Sequence, residues 1–166
     1  ALVEGNLPVL GAVFVPVRDT LYAGGPGLGA WRQTGQGVRE PIRSAPPAPG
    51  RELVAVQSRS HQTPRLDAYL AVLEAAGLGQ AQRLTAGSAL KFCLVAEGTA
   101  HVYARFNPTS EWDTAAGQAV AEGAGARFTT LSGRPFLYNK QSLLNPGFLV
   151  QAPGLDLPVP EPEAGA

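Results

Sequence analysis

The sequence contains no methionine, and cysteine occurs once, at Cys93. One cysteine excludes an internal disulfide framework and is typical of a protein from a reducing compartment. Neither sign of charge dominates, because 13 basic and 13 acidic residues give a formal net charge of zero. No overall field therefore draws the chain to nucleic acid or to an anionic membrane. No apolar run approaches the roughly 20 residues that a membrane-spanning helix needs.

The chain is short enough for one domain or for part of a larger one. Of its 166 residues, 45% are hydrophobic, which is enough for a sizeable core. Residues 1–4 are predicted to form a strand, with no residues before it that would start one, and a turn follows at Gly5 and Asn6. Together with the missing methionine, this opening leads us to expect that the natural N-terminus precedes Ala1.

The pattern of apolar residues predicts an α/β fold with layers of strands and helices. Residues 1–40 form the end of an N-terminal sheet subdomain, an antiparallel meander, and residues 41–52 are a linker. Residues 53–151 form a C-terminal α/β subdomain, and the proline-rich, acidic residues 152–166 are a disordered tail. Strands are predicted at 1–4, 9–17, 21–25, 27–31, 53–56, 82–85, 100–106, 126–130 and 148–150, and helices at about 63–77, 88–96 and 113–123.

The segment 112–117, with sequence WDTAAG, opens the third predicted helix. Asp113 is placed to be the N-cap of that helix, followed by small residues in its first turn. A helix N-terminus with a carboxylate beside bare backbone N–H groups can accept a phosphate and its metal ion. The alternative is that Asp113 only caps the helix.

Two further residues open the preceding helix. Ser88 and Lys91 are three positions apart, so they share one helix face and could together hold a phosphate. The alternatives are that Ser88 is only an N-cap and that Lys91 is a solvated helix residue.

His61, after a strand, and Arg105, at the end of another, could supply two more hydrogen-bond donors, since ligand sites of α/β folds gather where strands end and helices begin. Alternatively, His61 caps a turn and Arg105 pairs with Glu97 or Glu111 on the surface.

Other polar or reactive positions are predicted to be structural. His101 alternates with its strand neighbours, and Cys93 lies inside an apolar helix as a packed thiol. The glycine-rich residues 24–29 lack the Lys-Ser/Thr ending and the helix of a phosphate-binding loop, so they are turn glycines. No histidine–cysteine cluster exists, so a metal site would have to be rich in oxygen ligands, as Mg²⁺ prefers, and one aspartate cannot build it.

Five segments, in this order, resemble one known family. They are residues 9–17 (VLGAVFVPV), 58–61 (SRSH), 87–98 (GSALKFCLVAEG), 112–117 (WDTAAG) and 144–148 (LNPGF). The set looks like the CysQ-type 3'(2'),5'-bisphosphate nucleotidases of the inositol monophosphatase superfamily, and the resemblance covers residues 1–150. The WDTAAG element is typical of the whole superfamily, whereas SRSH and GSALKFCLVAEG are closer to the CysQ branch.

This resemblance implies the layered α/β sugar-phosphatase fold and a Mg²⁺-dependent phosphatase that binds two or three ions. Its substrate would be adenosine 3',5'-bisphosphate, cleaved to AMP and phosphate, or the sulfated form of that nucleotide. Asp113 matches a metal ligand near the ribose, and Ser88 and Lys91 match positions that hold the other phosphate. His61 and Arg105 match further nucleotide contacts. The resemblance also implies a cytoplasmic enzyme acting in sulfur assimilation on a small nucleotide, with no nucleic-acid polymer as partner, and peripheral membrane association as an option in the family.

The sequence departs from the family pattern in one respect. Family members carry an upstream glutamate and a D-P-[IL]-D-G-T motif, which supply most metal ligands, and neither is present here. We therefore expect a C-terminal part of the enzyme, inactive on its own. The alternatives are a relative that acts on inositol monophosphate or a sugar bisphosphate, and a non-catalytic nucleotide-binding remnant.

Overall fold

A computed structural model of the chain describes residues 1–58 and 63–160. The first sheet has five antiparallel strands in chain order, which confirms the predicted meander. Gly5 supplies the positive φ of 59° that the first hairpin turn requires. The strands are β1 (Leu2–Glu4), β2 (Leu7–Val15), β3 (Thr20–Gly25), β4 (Gly29–Thr34) and β5 (Glu40–Ile42).

The second sheet combines parallel and antiparallel strands in the order β10-β12-β8-β6-β7. β6 is parallel to β7 and to β8, whereas β12 is antiparallel to β8 and to β10. The bounds are β6 (Val54–Ser58), β7 (Gln82–Ala86), β8 (Val102–Arg105), β10 (Arg127–Thr130) and β12 (Phe148–Gln151). A short ribbon pairs β9 (Thr109–Ser110) with β11 (Leu144–Asn145).

Helices make the connections that parallel strands need. α1 (Pro64–Leu73) joins β6 to β7, and α2 (Leu90–Ala96) joins β7 to β8. α3 (Glu111–Gly123) follows β9. Thr63 caps α1 through its side chain, as the Thr-Pro pair predicts. No helix in the described ranges combines the length and the apolar character needed to cross a membrane.

Burial divides the molecule into layers, which confirms the predicted layered α/β arrangement. α2 and α3 lie between the two sheets, because their opposite sides bury residues in different clusters. Phe92 and Ala115 pack with the second sheet, whereas Cys93 and Val120 pack with the first. α1 covers the other face of the second sheet, where Tyr69 is buried.

Two glycines allow these layers to approach closely. A Cβ added at Gly11 in β2 would lie 2.3 Å from the carbonyl oxygen of Ala116 in α3. A Cβ added at Gly117 would lie 2.2 Å from Cδ2 of Phe92 in α2. The small residues of the WDTAAG segment therefore serve packing: they let α3 lie directly on the sheet and on its neighbouring helix.

Two parts of the predicted organisation are wrong. The predicted linker, 41–52, begins inside a strand, because residues 40–42 form β5. An edge strand tolerates Pro41, since no neighbouring strand needs its missing N–H. Residues 152–160 are not disordered, because Leu157 is buried beside α1 and the carbonyl of Pro158 accepts a hydrogen bond from Tyr69. The remaining tail, 161–166, lies outside the described residues, and the subdomain boundaries stay predictions.

Replacing Gly117 by alanine tests the close packing of α3 on α2. Helix propensity alone favours alanine over glycine by about 1 kcal/mol. We expect the opposite sign, a loss of about 1–3 kcal/mol in the free energy of unfolding, because Phe92 blocks the new methyl group and stacks among other rings. Urea unfolding measures this. In a Phe92→Ala background the same change should stabilise, and stabilisation in the wild-type background would contradict the packing.

Candidate active site

A cleft of about 430 Å³ opens where strands of the second sheet end and helices begin. Ser58 ends β6, Arg105 ends β8, and Asp113 lies in the first turn of α3. This is the edge at which α/β sheets generally bind ligands. The cleft is lined by Ser58, Gly87, Ser88, Ala89, Lys91, Phe92, Tyr103, Arg105, Thr109, Asp113, Thr114 and Phe148.

Four of the five predicted site residues line this one cleft. Ser88, Lys91, Arg105 and Asp113 come from three separate stretches of sequence, and the fold brings them together. The fifth, His61, lies outside the described residues, so its place in the site stays a prediction.

Asp113 occupies the third position of α3 and is not its N-cap, so that prediction is wrong. Ser110 is the N-cap, and its backbone N–H donates a hydrogen bond to Oδ2 of Asp113 over 2.8 Å. This is the acidic half of a capping box, in which the third helical residue reaches back to the cap. Asp113 is exposed and lines the cleft, so its carboxylate is accessible to a ligand.

Lys91 is a buried cation, with 3% of its surface exposed, so it is not a solvated helix residue. Its Nζ donates to the backbone carbonyl of Ser88 over 2.8 Å and lies 5.2 Å from the ring centre of Tyr103. Burial and, to a smaller extent, the positive charge of Arg105 together lower the pKa of Lys91 to about 8. No ion pair neutralises Lys91 within residues 1–58 and 63–160. An anion in the cleft would supply the missing charge.

Ser88 adopts a left-handed backbone conformation, with φ of 48°. α2 begins after it, with Ala89 at the cap position and no side-chain cap, so the N-cap alternative for Ser88 is wrong. A non-glycine residue in this region costs about 1–3 kcal/mol, and such strain clusters at functional sites. The conformation turns the Ser88 carbonyl toward Lys91 while the residue lines the cleft.

Arg105 does not form either of the surface pairs that were considered for it. Glu97 accepts hydrogen bonds from Arg32 and from Tyr22, and Glu111 pairs with Lys140. Arg105 instead donates from Nε to the carbonyl of Asn107 over 3.3 Å. Its guanidinium stays at the cleft with Lys91, so two cations face one carboxylate there.

His101, Cys93 and the glycine-rich residues 24–29 have the structural roles predicted for them. Nδ1 of His101 accepts a hydrogen bond from the Val54 N–H over 2.8 Å, and burial lowers its pKa. Cys93 is fully buried, and burial raises the pKa of its thiol to about 12. The glycine-rich residues form the turn between β3 and β4, with positive φ at Gly27 and Gly29.

Sequence reasoning missed several residues of the cleft. Tyr103 forms part of the floor below Lys91, and Thr109 and Thr114 flank Asp113. The alternation of β8 could have indicated Tyr103 as an inward residue. The two threonines carry no such signal, because their hydroxyls are directed by residues more than 30 positions further along the chain.

The described residues do not make a complete metal site. No group of three or more histidine, cysteine, aspartate or glutamate residues lies close enough to hold an ion within these ranges. Asp113 is the one carboxylate among the cleft residues named above. It fits the role of a single oxygen ligand for a hard cation such as Mg²⁺, and the rest of the cleft fits an anion better.

The comparisons with known proteins agree on one family. A family model described as "Inositol monophosphatase family" matches residues 1–153. The 3'(2'),5'-bisphosphate nucleotidase CysQ of Escherichia coli K12 is 44% identical over 151 residues, which cover 90% of this chain and 57% of the relative. CysQ of Salmonella typhimurium is 45% identical over the same length. The chain thus spans about 57% of the length of these curated relatives.

Solved structures give the same result. The crystal structure of CysQ from Bacteroides thetaiotaomicron, "a bacterial member of the inositol monophosphatase family", is 41% identical with a TM-score of 0.78. It matches over 88% of this chain and 58% of that one. The staphylococcal IMPase-II is 23% identical with a TM-score of 0.67, over 89% of this chain and 55% of that one, and supports the fold alone.

The buried cation predicts a specific dependence of stability on pH. Lys91 has a pKa of about 8 in the folded chain and about 10.4 in the unfolded chain. The unfolded state therefore binds more protons between these values, and the contribution of Lys91 to stability rises with pH across this window. Lys91→Met removes this contribution. The stability of wild type relative to Lys91→Met should rise between pH 7.5 and pH 10 in urea unfolding, whereas a constant difference would show that Lys91 titrates normally.

Proposed function

Because the chain belongs to the inositol monophosphatase family, we propose that the protein is a phosphatase that releases the 3'-phosphate of adenosine 3',5'-bisphosphate, giving AMP. The similarity to CysQ from several bacteria supports this substrate class. The observation that carries the proposal is that the cleft containing Asp113 also holds Arg105 and a buried Lys91, which forms no ion pair with any residue of 1–58 or 63–160. The sulfated form of this nucleotide is a second substrate of the same class.

Enzymes of this family are generally Mg²⁺-dependent. We assign Asp113 as one metal ligand, because its carboxylate is exposed at the cleft and its Oδ2 is held in place by the Ser110 N–H. When bound, Mg²⁺ supplies a nucleophilic water at neutral pH and neutralises charge on the phosphate. The remaining carboxylates of such a site are not among the described residues, so we propose that the 166-residue chain alone is inactive.

The two cations suit a substrate with a second phosphate. Lys91 is fixed by the Ser88 carbonyl and Arg105 by the Asn107 carbonyl, so each charge already has a defined position. Charge-assisted hydrogen bonds to phosphate oxygens are stronger than neutral ones, and more so in a half-buried site. Ser88 adds a hydroxyl at the same wall of the cleft. We propose that Ser88, Lys91 and Arg105, together with His61, bind the nucleotide phosphate that is not cleaved.

Inositol monophosphate carries one phosphate, so it would leave these cations without an anionic partner in the described part of the cleft. This argument favours the bisphosphate nucleotide over the inositol substrate. A cytoplasmic location accords with the single buried thiol, Cys93, and is part of the same proposal.

Substrate preference tests the proposal directly. Phosphate release is measured for adenosine 3',5'-bisphosphate and for inositol monophosphate, each with Mg²⁺, using the gene product that contains this chain. We expect a higher kcat/KM for the nucleotide, with Lys91→Met raising KM for the nucleotide and leaving the inositol substrate unaffected. The 166-residue chain should release no phosphate in the same assay. A preference for the inositol substrate would overturn the assignment.

Asp113→Asn tests the metal-ligand role. The change keeps the size of the side chain and removes the charge, so kcat should fall by about two orders of magnitude or more with little change in stability. Asp67→Asn is the matched control, because Asp67 is an exposed carboxylate of α1 that pairs with Arg83 of β7 and is not among the residues that line the cleft. Activity of Asp113→Asn within the range of this control would remove Asp113 from the metal site.

A further inference from the structure

A chain of buried polar side chains runs below the cleft, along one face of α3. Thr114 and Gln118 are one helical turn apart, and each has 1% of its surface exposed. Tyr138 and Asn145 face them from the segment 137–145 and are 1% and 2% exposed. Buried polar networks cost free energy unless every member is satisfied, so such a network needs a reason to exist.

The hydroxyl of Thr114 is the centre of this network. Nδ2 of Asn145 donates to Thr114 Oγ1 over 3.0 Å and is 3.2 Å from Thr109 Oγ1. The Tyr138 hydroxyl lies 3.1 Å from Thr114 Oγ1 and 2.8 Å from Gln118 Oε1. Because this phenol carries one proton and the amide oxygen of Gln118 can only accept, the phenol donates to Gln118. The one proton of the Thr114 hydroxyl is then shared between the Tyr138 oxygen and the Glu111 carbonyl, which lies 3.2 Å from Thr114 Oγ1. Both threonines line the cleft on either side of Asp113.

The segment 137–145 is itself tied to the start of α3. Lys140 Nζ donates to Glu111, to the Leu137 carbonyl and to Asn145 Oδ1, so all three of its protons are used. The Glu111 carboxylate also accepts the backbone N–H groups of Asn139 and Lys140. The amide group of Asn145 is therefore held from both ends. These bonds fasten the segment to Glu111, in the first turn of α3.

We propose that Tyr138 and Asn145 are positioning residues of the cleft, which hold the first turn of α3, and with it Asp113, through the Thr114 hydroxyl. Asp113 contributes to the cleft only if its carboxylate keeps its orientation, which depends on the bond from Ser110 within the same turn. A first turn supported from below keeps that bond formed. The catalytic part of this inference rests on the proposed function, whereas the positioning part does not.

Hydrogen exchange of the Ser110 amide tests positioning without reference to activity. Thr114→Val and Tyr138→Phe each remove one hydroxyl from the network and keep the size of the side chain. We expect the Ser110 N–H to exchange about tenfold faster in both variants, through local opening of the turn. Thr114→Ser restores the hydroxyl and should restore protection. Thr20→Val is the matched control, because Thr20 is a buried threonine bonded to Thr34, in the first sheet.

Kinetics of the gene product that contains this chain give the second readout. Removing a partner that orients a ligand group typically costs 10–100-fold, so kcat should fall by about this factor in Thr114→Val and Tyr138→Phe, with KM changing less. Thr114→Ser and Thr20→Val should keep wild-type kinetics.

The outcomes separate the two proposals. Unchanged exchange at Ser110 in Thr114→Val overturns the positioning role, and so does faster exchange with wild-type kcat. An effect of equal size in Thr20→Val would show general destabilisation and also overturn it. Faster exchange in a protein whose wild type lacks nucleotidase activity contradicts the proposed function and leaves the support of α3 established.

Discussion

Helix α3 packs so closely on the first sheet and on α2 that its contacts leave no room for a side chain at Gly11 or Gly117. The position of α3 at the cleft depends on this close packing. Gly11 lets the Ala116 carbonyl approach β2, and Gly117 makes room for the Phe92 ring. With larger residues at either position, α3 would move outward and carry Asp113 with it. The small residues of the WDTAAG segment thus have a packing function that is separate from the chemistry of its aspartate. One segment sets both the spacing of the layers and the position of the carboxylate.

The same packing buries a charged side chain, Lys91, at the cleft. α2 is buried on nearly all sides, and its Lys91 is buried with it, above the Tyr103 ring. A cation in this place destabilises the fold, since burial favours the neutral amine. Ser88 adds backbone strain at the same point. Ser88 and Lys91 thus each lower the stability of the fold at the same place. Such unfavourable residues are typical of sites selected for binding rather than for folding.

Periodicity and turn residues predicted most of the fold. The meander of the first sheet, the helix that begins at Thr63 and the strand at β8 follow from local signals, and each is found. β5 was missed because Pro41 is a loop signal except at a sheet edge, and edges are defined by pairing. The ordered residues 152–160 were missed because overall composition outweighed Leu155 and Leu157, which pack on α1.

The candidate site was predictable where its residues carry local motifs. Asp113, Ser88, Lys91 and Arg105 stand at helix starts and a strand end, and the structure brings them together. Ser110 precedes Asp113 by three positions, which is the spacing of a capping box, and this spacing outweighs the preference of aspartate for the cap position itself. The burial of Lys91 could not be predicted from local sequence, because it depends on the two sheets that pack on either side of α2.

The network below α3 shows what limits such prediction. Tyr138 and Asn145 bond to Thr114 across 24 and 31 positions of sequence. Tyr138 lies outside the helices and strands, and Asn145 lies in β11, whose two residues are too few for a periodic pattern. An apolar set of the same volume would fill this space, and such replacements of buried polar groups are often neutral or stabilising. It would not fix the rotation of the first turn, because apolar contacts are non-directional, whereas hydrogen bonds to one hydroxyl are directional. A carboxylate that must meet a ligand at a set distance needs that directionality, so the polar choice at these positions follows from what α3 has to hold in place.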